Sequence, residues 1–158
     1  MSDFAARFAA QTDLDFVSRD GYISREAVAR KIDSKEVVVA EAGGQPVGYL
    51  RLEYLWSLVA YIALIWVRPE RRRQGVGQIM LAFVGQHLSQ NGHDALYSSS
   101  QADEPEPQAW HRRMGFEECG FIDGLNKGGV GEIFFRLRLA AQSPPVSHKL
   151  ATKRNPGG

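Results

Sequence analysis

The sequence predicts a mixed α/β fold in which helices flank one central sheet. Strand-like segments alternate with amphipathic segments, a strand-loop-helix-strand unit stands in the middle of the chain, and two more strand-like segments follow it. Of the 158 residues, 44% are apolar and 23% are charged, which allows one packed core but not two independent ones. We therefore predict one domain over residues 1–140. The composition of residues 141–158, rich in Ser, Pro, Lys and Gly, predicts a disordered tail.

The N-terminal part is predicted to contain one strand and two helices. Residues 4–10 are a candidate strand, and residues 12–19 are a short polar helix that ends at the Asp20-Gly21 break. Ser24 is placed to cap a second helix, because a serine hydroxyl accepts a hydrogen bond from a first-turn amide and apolar residues follow at helical spacing.

From residue 37 the helical spacing of apolar residues ends, and the pattern predicts three consecutive strands. Residues 37–40 are mostly β-branched, Gly43-Gly44 is a hairpin turn, and residues 47–56 form the second strand. The third strand, residues 58–67, contains ten residues without a charge, as expected for a strand that is covered on both faces. We therefore place it at the centre of the sheet.

The second half of the chain is predicted to contain two helices and three strands. Residues 76–90 have apolar side chains at a period of 3.6 and form the longer helix, and residues 94–100 form the next strand. A short helix follows at residues 108–114. Residues 116–122 and 132–139 are predicted to pair as antiparallel strands across a glycine-rich turn.

The composition excludes several classes of function. A formal net charge of +1 provides no global attraction to nucleic acid or to a membrane. One cysteine, Cys119, cannot form an intramolecular disulfide or a cysteine-based metal cluster, and we expect it to be a small core residue. The longest charge-free apolar stretch, residues 58–67, is too short to span a bilayer. We expect a cytoplasmic protein without a membrane anchor.

The loop between the central strand and the following helix is the best candidate for a ligand site. It reads Arg68-Pro69-Glu70-Arg71-Arg72-Arg73-Gln74-Gly75-Val76-Gly77. Free amides and the helix dipole at a helix start suit a phosphate or diphosphate, and Gly75 and Gly77 let such a ligand approach the backbone. The segment matches neither GxxxxGK[ST] nor a complete GxGxxG pattern, which disfavours ATP and NAD. The alternative is an ordinary loop whose arginines face water.

Two motifs carry a resemblance to a known family. The pattern Arg72-x-x-Gly75-x-Gly77, at the end of a strand and the start of an amphipathic helix, resembles the acyl-CoA motif of the GNAT superfamily of N-acetyltransferases. Downstream, residues 109–116 (Ala-Trp-His-Arg-Arg-Met-Gly-Phe) resemble that family's aromatic helix ending in Gly-Phe. The resemblance covers residues 37–139.

This resemblance implies a fold and a cosubstrate. The sheet would have about six to seven strands, splayed between its two central strands and flanked by about four helices. Acetyl-CoA would be the cosubstrate, and no metal is implied. The residues implied to bind its diphosphate are Arg72, Arg73, Gln74, Gly75, Val76 and Gly77. The residues implied to bind pantetheine and the thioester are Ile65, Trp66 and Val67, with Ser98 and Ser99 on the neighbouring strand.

The resemblance also points to a catalytic acid. His111 stands four residues before Gly115, where the superfamily most often has a tyrosine that protonates the departing thiolate. A protonated imidazole can perform the same step, so His111 is a candidate acid. The alternative is a histidine on the helix surface beside Arg112 and Arg113, whose charges would disfavour its protonated form.

The base that deprotonates the acceptor amine is predicted from burial. Glu53 lies in the apolar, aromatic segment of residues 52–56, where a charge needs a partner or a role. It shares a strand face with Arg51, so an ion pair between the two is the alternative. Glu132, which opens the last strand after the glycine-rich turn, is a comparable candidate.

We therefore predict an acetyl-CoA-dependent N-acetyltransferase that transfers the acetyl group directly to a primary amine of a small molecule or protein. The competing hypothesis is a noncatalytic acyl-CoA-binding regulatory module. A nucleic-acid binder that uses residues 68–73 and the basic tail is disfavoured by the balanced charge. A homodimer formed through the late strands is an open alternative that the resemblance suggests.

Overall fold

The computed structural model describes residues 3–140 and contains a seven-stranded mixed sheet. The strands are β1 (Phe4–Phe8), β2 (Val37–Ala42), β3 (Gln45–Leu55), β4 (Val59–Val67), β5 (Ala95–Gln101), β6 (Glu117–Ile122) and β7 (Glu132–Arg138). The α-helices in this range are α1 (Leu14–Val17), α2 (Arg25–Asp33), α3 (Val76–Gln90) and α4 (Pro105–Arg113). The strand order is β1-β2-β3-β4-β5-β7-β6, so β4 is central. The predicted sheet and helices are confirmed, whereas the tail predicted at residues 141–158 lies outside the described residues.

The described residues divide into two compact units. The first comprises the chain up to Glu53 together with Ile62–Val84. The second comprises Tyr54–Tyr61 together with the chain from Gly85 onward.

In the first unit, β1, β2 and β3 form an antiparallel meander around an apolar core. Ser24 caps α2 as predicted, because its Oγ accepts a hydrogen bond from the Ala27 amide at 3.1 Å. The core residues are Ala9, Val17, Val28, Ile32, Val37, Val39 and Tyr49. The cap and this core hold α2 in place against the sheet.

Gly48 of β3 makes room for the start of α3 in the same unit. A methyl group on Gly48 would lie 2.9 Å from the Trp66 carbonyl oxygen, which is too close, and 3.1 Å from Val76 Cγ1, which is a tight contact. Successive strand residues face opposite sides of a sheet, so Tyr49 faces away from α3 and packs against Phe16 and Trp66. Gly48 therefore fixes how closely the helix start approaches the strands.

In the second unit, β5 and β7 form an antiparallel pair. Ala95 lies opposite Arg138 at one end of the pair, and Gln101 lies opposite Glu132 at the other. The start of β4 adds a parallel pairing at Tyr61 and Tyr97. Residues of β5 are alternately buried and half-buried, because successive side chains of a strand point to opposite faces of the sheet. The buried face lies against α4, and the other face is half-open. Tyr61, Ser99 and Glu132 have their side-chain contacts on the half-open face.

Three expectations about the elements are wrong. The first helix is shorter than predicted, because Gln11–Asp13 form a 3₁₀ turn before α1. α4 begins at Pro105 rather than at residue 108, because proline is well tolerated in the first turn of a helix. Cys119 is exposed rather than buried, because β6 is an edge strand. Partial desolvation of the thiol, together with the Glu117 and Glu118 charges, outweighs the effect of Arg136 and raises the pKa of Cys119.

None of the helices within residues 3–140 combines the length and the apolar character that a bilayer crossing requires.

Candidate active site

The loop that follows β4 is anchored to neighbouring backbone at its first residue. The Arg68 amide donates to the Val47 carbonyl at 2.8 Å, and Arg68 Nε donates to the Pro46 carbonyl at 2.9 Å. Pro69–Arg71 then form a 3₁₀ turn, after which Arg72 Nε donates to the Val67 carbonyl at 3.2 Å. These bonds hold the start of the turn to β3 and its end to β4.

The loop then turns sharply into α3. Arg73 and Gly75 have φ angles of 62° and 89°, the left-handed conformation that glycine adopts without strain. α3 begins at buried Val76, while residues 71–75 are exposed. A methyl group on Gly75 would meet no atom within 4 Å, so its α-carbon faces open space. The first-turn amides of α3, which have no intrahelical acceptor, are thus presented beside an exposed loop, as an anion site requires.

The C-terminal half of β4 is apolar but not fully covered. Ala63 is exposed and Leu64, Ile65, Trp66 and Val67 are half-buried, so the expected burial on both faces is wrong for this part of the strand. A partly uncovered apolar strand end beside a loop that presents helix-start amides suits a ligand with an apolar arm and a charged head. The three residues predicted to bind pantetheine lie here.

His111 is buried in the second unit and is held by two hydrogen bonds. Its Nε2 lies 2.7 Å from Ser98 Oγ, and its Nδ1 lies 2.8 Å from the Pro107 carbonyl oxygen. The ring also stacks on Phe135 with a centroid distance of 4.6 Å. Only 5% of the residue is exposed, so the alternative of a surface histidine is wrong.

The two partners determine where the ring carries its proton. A carbonyl oxygen can only accept, so Nδ1–H donates to Pro107, and Nε2 of the neutral ring accepts from the Ser98 hydroxyl. Burial lowers the pKa of His111, an effect that the Arg112 charge reinforces and that the Pro107 hydrogen bond and the Glu132 charge partly oppose. The neutral form is therefore favoured, and only the doubly protonated ring can donate to Ser98.

Glu53 of β3 forms an ion pair with Lys31 of α2, a partner that the position of Glu53 in its strand does not indicate. Its carboxylate lies 3.0 Å from Lys31 Nζ, which also binds Glu36 at 3.1 Å and donates to the Leu52 carbonyl at 2.8 Å. The alternative in which Glu53 pairs with Arg51 is wrong, because both terminal nitrogens of Arg51 bind Asp20 at 2.9 Å. Glu53 thus shares Lys31, which is itself largely buried.

Glu132 lies at the end of a chain of neutral hydrogen-bond donors. Ser99 Oγ donates to Glu132 Oε2 at 2.5 Å, and Asn126 Nδ2 donates to Glu132 Oε1 at 2.8 Å. Because the single Ser99 proton is used, the Tyr61 hydroxyl is the donor in its 2.5 Å contact with Ser99 Oγ. Burial, assisted by the Glu132 charge, raises the pKa of Tyr61.

The structure assembles the predicted site residues in two groups. Ile65, Trp66, Val67, Glu53 and the loop of residues 72–77 belong to the first unit. Ser98, Ser99, His111 and Glu132 belong to the second unit. Among residues 3–140, no three His, Cys, Asp or Glu side chains are grouped to hold a metal ion.

Sequence reasoning missed the roles of Tyr61 and of the serine side chains. The resemblance implies that Ser98 binds the cosubstrate, but it does not predict that the Ser98 hydroxyl contacts His111. A run of three serines at residues 98–100 within a strand is an unusual pattern, because serine is not a strong strand former. That run could have indicated that hydroxyls face both sides of β5.

Comparisons with known proteins agree with this geometry. The model of the acetyltransferase (GNAT) family matches residues 6–116, which contain both sequence motifs. No curated protein is significantly similar to the chain in sequence.

Several solved structures share the fold. Escherichia coli ribosomal-protein-S18-alanine N-acetyltransferase has 17% identity and a TM-score of 0.73 over 92% of this chain and 99% of that chain. Brucella melitensis ribosomal-protein-alanine N-acetyltransferase has 22% identity and a TM-score of 0.72 over 85% and 99%. Salmonella typhimurium yncA with its cofactor acetyl-CoA has 15% identity and a TM-score of 0.75 over 93% and 100%. With a family model that spans most of the chain and a shared fold, this protein belongs to the GNAT acetyltransferase family.

Proposed function

We propose that this protein is an acetyl-CoA-dependent N-acetyltransferase that transfers the acetyl group directly to a primary amine. The observation that carries the proposal is the exposed loop of residues 72–77, which presents the first-turn amides of α3 in a chain of the GNAT family. The yncA structure is described with acetyl-CoA as its cofactor, and two similar structures are described as alanine N-acetyltransferases. An amino group at a protein N-terminus is therefore one acceptor class to test.

The cosubstrate is assigned to the exposed loop and the open end of β4. Amides of residues 73–77 and the Arg72 guanidinium bind the diphosphate, because fixed donors and a helix N-terminus stabilise an anion. The main chain of Ile65, Trp66 and Val67 binds pantetheine and polarises the thioester carbonyl. Ser98 and Ser99 contribute main-chain contacts from β5.

The acid is assigned to His111 acting through Ser98. Although the neutral ring is favoured at rest, the doubly protonated form of His111 is the one that acts as the acid: it donates from Nε2 to Ser98 Oγ, and Ser98 passes its own proton to the departing thiolate sulfur, which leaves His111 neutral and CoA as a thiol. The 2.7 Å contact between Nε2 and Ser98 Oγ supports this route.

The base is assigned to Glu132, with Glu53 as the second candidate. Glu132 binds only neutral donors within residues 3–140, so its carboxylate can accept a proton from the acceptor's ammonium group directly or through Ser99. Glu53 remains a prediction, but its ion pair with Lys31 favours a structural role.

The deciding experiment combines calorimetry with thiol release. We expect the purified protein to bind acetyl-CoA and to release CoA thiol when pooled amines that include N-terminal alanine peptides are added, with mass spectrometry identifying an amide product. Binding without turnover across the pool would favour the noncatalytic module. No binding at millimolar acetyl-CoA would refute both alternatives.

A further inference from the structure

Two arginines in the first unit lie against aromatic rings. The Arg19 guanidinium carbon lies 4.5 Å from the Trp66 ring centroid and 5.1 Å from that of Phe16. The Arg68 guanidinium carbon lies 5.0 Å from the same Phe16 centroid. Within residues 3–140, neither arginine forms an ion pair with an Asp or Glu side chain.

The neighbouring acidic residue does not neutralise Arg19, because other donors saturate it. Asp20 accepts two hydrogen bonds from Arg51 at 2.9 Å, one from the Tyr49 hydroxyl at 2.8 Å and one from the Tyr22 amide at 2.9 Å. Burial alone would raise the pKa of Asp20, but these hydrogen bonds outweigh it and lower the pKa to about 2. Asp20 therefore stays ionised and tied to β3, and it fixes the loop that carries Arg19.

The two ring contacts prepare Arg19 to bind an anion. They hold the guanidinium through its cationic charge without using its N–H donors, and the planar fork of those donors matches the two oxygens of a carboxylate. Because the ring contacts already restrict the side chain, less conformational entropy is lost when an anion binds. Arg19 is exposed, so an anion can reach it from solvent.

This position is separate from the proposed diphosphate site. Gly48 faces Val76 at the start of α3, whereas the next residue, Tyr49, faces Phe16 and Trp66. The aromatic rings therefore lie on the opposite side of β3 from the α3 N-terminus. The ring that holds Arg19 belongs to Trp66, one of the three residues assigned to the thioester.

We propose that Arg19, supported by Trp66 and Phe16, binds a carboxylate of the acceptor, so that the substrates are amines that carry a carboxylate. This inference rests on the proposed function, because it names the acceptor class of the same reaction. Arg68 adds positive charge beside Phe16 and favours the same class. The reacting amine and the carboxylate are then two separate handles of one small acceptor or of an acidic peptide.

The test compares matched acceptors on matched variants. Glycine, β-alanine and γ-aminobutyrate are each assayed against their carboxamides, together with short alanine peptides that have glutamate or glutamine after the first residue. In the wild type, kcat/KM for the carboxylates should exceed that for the carboxamides by roughly 10- to 100-fold, as for a charge-assisted bidentate hydrogen bond. Arg19→Gln should remove this preference mainly by raising KM, and Arg19→Lys should restore part of it.

Arg30→Gln is the control, because Arg30 is an exposed arginine of α2 outside the proposed site. It should leave the preference unchanged. Equal use of carboxylates and carboxamides by the wild type, or an equal loss of both in Arg19→Gln, would overturn the inference.

A readout without turnover separates the two proposals. Nitrogen-15 NMR of the arginine Nε–H groups, with β-alanine and its carboxamide as probes, should show an Arg19 shift that saturates with β-alanine only. If no acceptor is acetylated while this shift is seen, the proposed transferase activity fails and carboxylate binding stands. If amines are acetylated without the shift or the preference, the carboxylate site fails and the transferase activity stands.

Discussion

At the scale of single residues, the chemistry of His111 depends on whether Nε2 carries a proton. We expect His111→Phe to lower kcat by roughly 100-fold or more while the affinity for acetyl-CoA changes little, because the proton donor is lost but the diphosphate loop is not. Ser98→Ala should reproduce most of this fall, since the proposed route passes through its hydroxyl. Steady-state kinetics and calorimetry measure the two effects, and normal turnover in either variant would contradict the route.

The buried imidazole also predicts how stability depends on pH. Because the pKa of His111 is lower in the folded protein than its unfolded value of about 6.5, the unfolded chain binds the proton more readily. His111 therefore destabilises the fold progressively as pH falls below about 6.5, and the effect is absent above it. From about pH 7.5 to about pH 5.5, the free energy of unfolding measured with urea should therefore fall less in His111→Phe than in the wild type.

The two candidate bases can be separated by matched substitutions. We expect Glu132→Gln to lower kcat by roughly 100-fold, because an amide cannot take the proton of the ammonium group. Glu53→Gln should instead lower the free energy of unfolding, because it breaks the ion pair with Lys31. A larger fall in kcat for Glu53→Gln than for Glu132→Gln would reverse the assignment.

At the scale of elements, the start of α3 depends on Gly75. We expect Gly75→Val to raise the Kd for acetyl-CoA at least about 10-fold, because a branched side chain at a φ of 89° is strained and occupies the space in front of the amides. Gly44→Val is the matched control, since Gly44 has a φ of 78° in an open hairpin turn. It should destabilise the fold without changing the Kd measured by calorimetry.

The contact between β3 and α3 predicts a second pair of glycine variants. Gly48→Ala should destabilise the protein by about 1–3 kcal/mol, because its methyl group would lie 2.9 Å from the Trp66 carbonyl oxygen. Gly85→Ala, within α3, would place its methyl group 3.5 Å from Leu139 and should be neutral or stabilising. Urea unfolding compares the two, and equal effects would contradict the close approach at Gly48.

At the scale of the whole molecule, acetyl-CoA should act as a ligand of the folded state. A ligand present at about 100 times its Kd stabilises the native protein by about 2.7 kcal/mol, so Tm should rise by several degrees and keep rising with concentration. Gly75→Val should require more acetyl-CoA for the same shift. An unchanged Tm at millimolar acetyl-CoA would contradict the assigned site.

Much of the fold could be predicted from local patterns. The hairpin at Gly43-Gly44, the cap at Ser24 and the central place of β4 all follow from turn chemistry, capping and charge-free length. The exposure of Cys119 follows from the place of β6 at the edge of the sheet, which the local sequence indicates only through the adjacent Glu117 and Glu118 charges.

By itself, the sequence determined the order of strands and helices, the glycine loop before α3 and the likeness to the GNAT family. Only the tertiary structure decided that Glu53 pairs with Lys31 and that His111 turns inward to Ser98. The physical reason is how far apart along the chain the interacting residues lie. Period, caps and turns depend on residues a few positions apart, whereas the partner of a buried charge or ring nitrogen depends on which distant groups strand register and helix packing bring within hydrogen-bond distance.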